Sequence, residues 1–173
     1  MGNNKQIPQK EMGFGKAKKY IAAISGIAII IIAVFFIVKG NSEGNTKITS
    51  ASTDLVIQKN EVTDTAKFYP LKTGETNMEI MAVKASDGSI RTAFNTCQVC
   101  NGSPKAYYKQ EGDVLVCQNC GNRFKMDMIE QQRGGCNPVP IMKENKTEDG
   151  SKIVISKDFI EENKGLFADN WKK

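Results

Sequence analysis

The chain has 173 residues, with 24 Lys and Arg against 19 Asp and Glu, a net charge of +5, five cysteines and no histidine. That length admits one ordinary domain with an appendage, and the absence of histidine excludes mixed Cys/His metal sites, a histidine general base and any Ser-His or Cys-His nucleophile pair. The positive excess is small and partly local, because Lys5, Lys10, Lys16, Lys18 and Lys19 all precede the most apolar stretch, so it marks no nucleic-acid footprint.

Residues 1–19 read as a basic tail. Residues 20–38 run YIAAISGIAIIIIAVFFIV, interrupted only by Ser25 and Gly26. About 20 apolar residues in a helix cross a hydrocarbon core of about 30 Å, so a single transmembrane helix is expected here. A cleaved signal peptide fits less well, since the exit through Ile37, Val38, Lys39 and Gly40 offers no small-x-small site. Lysines flanking a span stay on the cytoplasmic side. The N-terminus is therefore expected in the cytoplasm, and the remainder outside the membrane.

Residues 39–66 are rich in Ser, Thr, Asn and Gly and read as a flexible linker; the alternative is an irregular first strand through Leu55, Val56 and Ile57. Residues 67–173 are expected to form an extracytoplasmic metal-binding domain, mainly β, small and antiparallel. Residues 78–84 and 90–94 flank Asp87-Gly88 as a first hairpin. A second runs from 106–108 through Glu111-Gly112-Asp113 to 114–116 and ends at Cys117, and a third pairs 139–142 with 152–155 around Asp149-Gly150. Ser156 is expected to cap a short helix with Asp158 and Glu161 in its early turns. Phe159, Ile160, Leu166 and Phe167 supply one apolar face, and Trp171 docks or stays exposed.

Every cysteine lies between Cys97 and Cys136. Cys97-x-x-Cys100 and Cys117-x-x-Cys120 are two C-x-x-C pairs at the separation of a four-thiolate metal site, since a two-residue gap lets both sulfurs of a tight turn face one ion. Zinc and iron both accept four such ligands, so the residues leave open an iron or iron-sulfur centre, a structural zinc ribbon acting as an interaction module, and a thiol-disulfide pair. Cys136, after Gly134-Gly135, is either a fifth, exchangeable ligand, a reactive thiol beside the site, or a buried thiol. Of Met78, Met81, Met126, Met128 and Met142, most are read as core packing rather than copper ligands, and Arg123 and Arg133 are read as surface charges rather than groups that lower a thiolate pKa.

The run Phe68-Tyr69-Pro70-Leu71, the segment from Asp87 to Cys100, Tyr108, Gln110, Gly112, the segment from Leu115 to Phe124, and Gly134-Gly135-Cys136-Asn137-Pro138-Val139-Pro140 together resemble the membrane iron-sulfur family called FtrD-like. That resemblance implies a membrane-bound, ferredoxin-like protein of ferrous iron uptake systems, passing electrons for an iron oxidase and permease. It also implies a lipid bilayer and a membrane redox or metal-permease partner, and an electron carrier rather than an enzyme with its own substrate. Family members often carry several transmembrane helices before this domain, whereas this sequence shows one. A fainter likeness joins the two C-x-x-C knuckles to Rieske-like and rubredoxin-like loops, with Asn137-Pro138-Val139-Pro140 resembling the Rieske covering loop. Four thiolates on a two-iron cluster imply a potential near that of plant-type ferredoxins, roughly −400 mV.

Overall fold

Met78, Ile80 and Ala82 alternate with Met81 and Val83 along one stretch of chain, and all five are buried. Successive side chains of a strand point to opposite faces, so this strand needs cover on both sides. The computed structural model describes residues 49–50 and 52–172, all within the unit Thr46–Lys173, and supplies that cover with two smaller sheets. The expected membrane helix at 20–38 lies outside the described residues. Among the described residues no helix is long and apolar enough to cross a membrane.

The central sheet has five strands in the order β1 (Thr49–Ser50), β3 (Lys67–Thr73), β4 (Thr76–Lys84), β5 (Ile90–Cys97) and β9 (Pro138–Pro140). Its pairings are antiparallel except for the two-residue parallel contact of β1 with β3. A second sheet orders β10 (Thr147–Glu148), β11 (Lys152–Ile155) and β2 (Leu55–Gln58). The third orders β6 (Tyr108–Glu111), β7 (Val114–Cys117) and β8 (Arg123–Lys125). The mainly antiparallel β class expected from the sequence is what forms.

One face of the central sheet carries Leu71, Met78, Ile80, Ala82 and Phe94, packed with Leu55 and Ile57 of β2, Ile153 and Ile155 of β11, and Ile160, Phe167 and Trp171. The other face carries Met81, Val83, Ala93 and Cys97 against Tyr108, Leu115, Cys117 and Phe124 of the third sheet. Burying one Ile or Leu side chain in such a layer contributes about 1.5–3 kcal/mol. The two outer sheets are too small to hold alone, and the central sheet is what makes both of them fold.

The first two expected hairpins form, as β4 with β5 and β6 with β7. Gly88 and Gly112 turn them with φ of 81° and 64°, backbone that glycine adopts at little cost. The third does not form. Val139 faces Phe94 of β5, while Lys152–Ile155 pairs with β2 and β10. Pro138 and Pro140 lack an N–H and so favour a sheet edge, which β9 occupies beside β5.

Within the expected linker over 39–66, the described residues 55–58 correct the reading. Leu55–Gln58 is a strand with alternating burial, and its Leu55 and Ile57 reach the core. The irregular strand weighed as the alternative is regular, because β11 offers Ile153 and Ile155 to the same layer. Ser156 caps helix α1 (Lys157–Glu162), accepting from the Phe159 N–H at 3.3 Å. Trp171 docks, with its ring edge-on to Phe167 and Tyr107 at 5.1 and 6.0 Å.

Candidate metal centre

Cys97 is the last residue of β5 and Cys117 the last of β7. Each strand ends in a buried cysteine and continues into a tight turn that brings its partner, Cys100 or Cys120, back toward it. Gly121 makes the second turn possible with φ of 75°, and its N–H donates to the Cys117 carbonyl at 2.8 Å. Packing of the third sheet on the central one then superposes the two turns. The sulfurs of Cys97, Cys100, Cys117 and Cys120 all lie within 4.8 Å of one another.

Exposure is graded across the four. Cys97 and Cys117 are buried, Cys100 is intermediate and Cys120 is exposed. Backbone N–H groups of Val99 and Cys100 point at the Cys97 sulfur, those of Asn119 and Cys120 at Cys117, and that of Asn122 at Cys120. These donors favour thiolate over thiol.

The balance differs by site. Burial pushes Cys117 up to about 12, and burial also raises Cys100. At Cys97 burial works upward, but it is outweighed by donors that include the Cys100 and Val99 N–H groups of the turn, and the net direction is down. Cys120 falls to about 7, chiefly through the Asn122 N–H. Any ion entering this set must therefore displace protons.

Cys136 stands outside the four-sulfur set. Its thiol lies against Cys120, whose sulfur pushes it up to about 12, and it packs on the edge of the second core layer. The loop that carries it is tied to both cysteine turns. The Gln98 N–H donates to the Asn137 carbonyl at 2.9 Å; the Gln98 side chain accepts from the Gly134 N–H and donates to the Pro138 carbonyl, both at 3.1 Å. From the other side, Asn122 Nδ2 and the Tyr108 hydroxyl each donate to the Cys136 carbonyl at 2.7 Å. Ser103 Oγ links the two turns by donating to Asn119 Oδ1 at 2.7 Å.

Gln98, Asn122 and Tyr108 are the residues the sequence reading did not place in the site. Their signal was position, since each lies inside or within two residues of a cysteine pair or opposite one in a hairpin. Met78, Met81 and Met126 are core residues as expected, whereas Met128 is exposed. Arg123 and Arg133 are exposed and paired with Glu111 and Glu144.

The donor set fits iron held by thiolates. A tetrahedron of sulfurs about 2.3 Å from one ion has edges of about 3.8 Å, a length the observed cluster accommodates. The four sulfurs are close enough together to share a metal centre.

Fold and site thus define a small antiparallel β domain with a four-cysteine centre. The chain belongs to the family described as membrane iron-sulfur containing protein FtrD-like, whose model matches residues 62–167. Among solved structures it is similar to the quaternary ammonium Rieske monooxygenase CntA in complex with an inhibitor, at 16% identity and a TM-score of 0.39. That likeness covers 64% of this chain and 33% of the monooxygenase chain, so the chain spans about a third of its length. No curated protein matches.

Proposed function

We propose that this protein is a membrane-anchored, one-electron carrier in which Cys97, Cys100, Cys117 and Cys120 hold one iron ion. The observation that carries the reading is the convergence of four sulfurs within 4.8 Å, graded from buried Cys97 and Cys117 to exposed Cys120. Iron held by thiolates supplies one-electron exchange at low potential. The buried pair anchors the ligand set to the two packed sheets, so its geometry resists change when the charge of the site changes. N–H groups aimed at the sulfurs offset their negative charge and set the potential. Cys120 puts one edge of the ligand set at the surface, where a partner can approach without the core opening.

Family membership supports an iron-related role at a membrane. The apolar run at 20–38 and the five lysines before it support a single span, a cytoplasmic N-terminus and an extracytoplasmic domain. The partner in this reading is a membrane redox protein or metal permease. The same spacing accommodates zinc, and a zinc-stabilised interaction module is the second reading. Protein purified without oxygen separates the two: the carrier is coloured, contains one iron per chain and bleaches reversibly on reduction, whereas colourless protein with one zinc per chain selects the second.

A further inference from the structure

Asn95 is fully buried on β5, two residues before Cys97. Between Phe94 and Cys97 the pairing of β5 with β9 shifts register, so a regular ladder does not fix the strand end that carries the first cysteine. Facing it is Tyr108 of β6, an edge strand of the third sheet, directly across from Cys117 in β7. The Tyr108 N–H donates to Asn95 Oδ1 at 2.7 Å, and the Tyr108 carbonyl accepts from Asn95 Nδ2 at 3.3 Å. Buried backbone groups need such partners. The Asn95 amide thus does for the edge of β6 what a neighbouring strand would do, which takes a side chain that both accepts and donates. It ties the strand ending in Cys97 to the hairpin ending in Cys117.

Further contacts hold that amide. Asn95 Nδ2 also donates to Glu79 Oε2 at 2.6 Å, which sets the way the amide faces. Glu79, buried on β4, accepts a second hydrogen bond from Lys172 Nζ at 2.6 Å. The Lys172 ammonium lies 5.7, 5.1 and 4.9 Å from the ring centroids of Phe68, Tyr107 and Trp171, within the range of cation–π attraction. The Lys172 N–H donates to the Pro104 carbonyl at 2.9 Å, so the same residue also grips the loop that follows Cys100. We propose that Asn95 is the positioning residue of the four-cysteine centre: its amide sets the separation of the Cys97 and Cys117 turns, and Glu79 and Lys172 hold the amide in place. This role rests on the reading that the four cysteines hold an ion, whichever metal that is.

The test uses the full chain in detergent, stripped of metal and reloaded with cobalt(II), whose visible bands report the symmetry of a four-thiolate tetrahedron. Asn95→Asp keeps the size and the acceptor, removes the donor and sets a second carboxylate beside Glu79. The expected result is a shift of the cobalt bands, a cobalt affinity lower by roughly tenfold, and faster exchange of the Tyr108 amide hydrogen in the metal-free protein. Lys172→Met alters a side chain that is 33% exposed, keeps the fold and gives the same changes at smaller size, so it carries the test where Asn95→Asp does not fold. Ile57→Val thins the opposite core layer and lowers stability without moving the bands. Bands and affinity at wild-type values in Asn95→Asp and Lys172→Met, or bands moved as far by Ile57→Val, overturn the positioning role. Wild-type protein that binds no cobalt through thiolates overturns the four-cysteine reading and this role with it. The bands are read in cobalt whichever ion is native, so failure of the iron carrier leaves this test intact.

Discussion

The side-chain amide of Asn122 donates a 2.7 Å hydrogen bond to the main-chain carbonyl of Cys136. Through it, the turn that carries Cys117 and Cys120 holds the loop that carries the fifth cysteine, and Tyr108 supplies a second donor to the same oxygen. Removing one donor by Asn122→Ala costs about 1 kcal/mol and loosens the loop rather than the fold. Amide hydrogen exchange at Gly135 and Cys136 then speeds up, and the ion leaves faster to a chelator. Tyr108→Phe has the same sign. The double variant exceeds the sum of the two, since a shared acceptor couples them.

Ligand replacements follow the gradient of exposure. Cys117→Ser places a hydroxyl in the core layer beside Leu115 and Phe124, so it loses the ion and much of the fold. Cys120→Ser alters an exposed side chain and keeps the fold while weakening the ion. Stripping the ion from the wild type removes a ligand bound only by the folded state, about 4 kcal/mol at a thousandfold excess over Kd. For a domain this size the melting temperature falls by about 15 °C or more. Metal content and thermal melts of the three preparations check this order.

What the sequence made legible was local. Two C-x-x-C pairs, Asp87-Gly88 and Gly112 each act within a few residues, and the turns they mark are the turns that form. The pairing of Leu55–Gln58 with Lys152–Ile155 joins segments nearly a hundred residues apart. Nothing in four residues of alternation names such a partner, so the strand read as linker and its mate was assigned to Val139. Pro138 and Pro140 held the clue, because a strand flanked by prolines belongs on an edge. The position of the Cys136 loop against the two cysteine turns is hidden for the same reason, as Gln98, Asn122 and Tyr108 set it from three separate segments.

Lys146 and Glu130 form a buried ion pair at 2.6 Å, their side chains 1% and 8% exposed. Glu130 also accepts from the Thr92 N–H and hydroxyl at 2.6 and 3.0 Å, so the pair fastens the loop before Cys136 to the middle of β5. Lys146→Met leaves the carboxylate buried without its counter-charge and destabilises by about 3–5 kcal/mol. Adding Glu130→Gln removes that charge, keeps an acceptor for Thr92 and restores most of the loss. Urea denaturation of both variants tests it.

Asp149 is held down to about 2, first by the Ser151 N–H, then by the Lys152 N–H and the Ser151 hydroxyl, in the turn between β10 and β11. Its unfolded pKa is the ordinary carboxylate value near 3.8, so folding favours the ionised form. The contribution is complete above about pH 5 and is lost progressively as pH falls through the folded value to about pH 1. The stability difference between wild type and Asp149→Asn is therefore constant near neutrality and shrinks steadily between about pH 5 and about pH 1. Metal-free protein in urea at stepped pH reads the difference without interference from thiolate protonation.

The most direct measurement is metal analysis with visible spectroscopy on full-length protein purified without oxygen, alongside Cys97→Ser and Cys117→Ser. One iron per wild-type chain, with thiolate-to-iron absorption that bleaches on one-electron reduction and is absent from both variants, is the predicted result. Iron content unchanged in the variants, or wild-type protein carrying no redox-active metal, contradicts a carrier built on these four sulfurs.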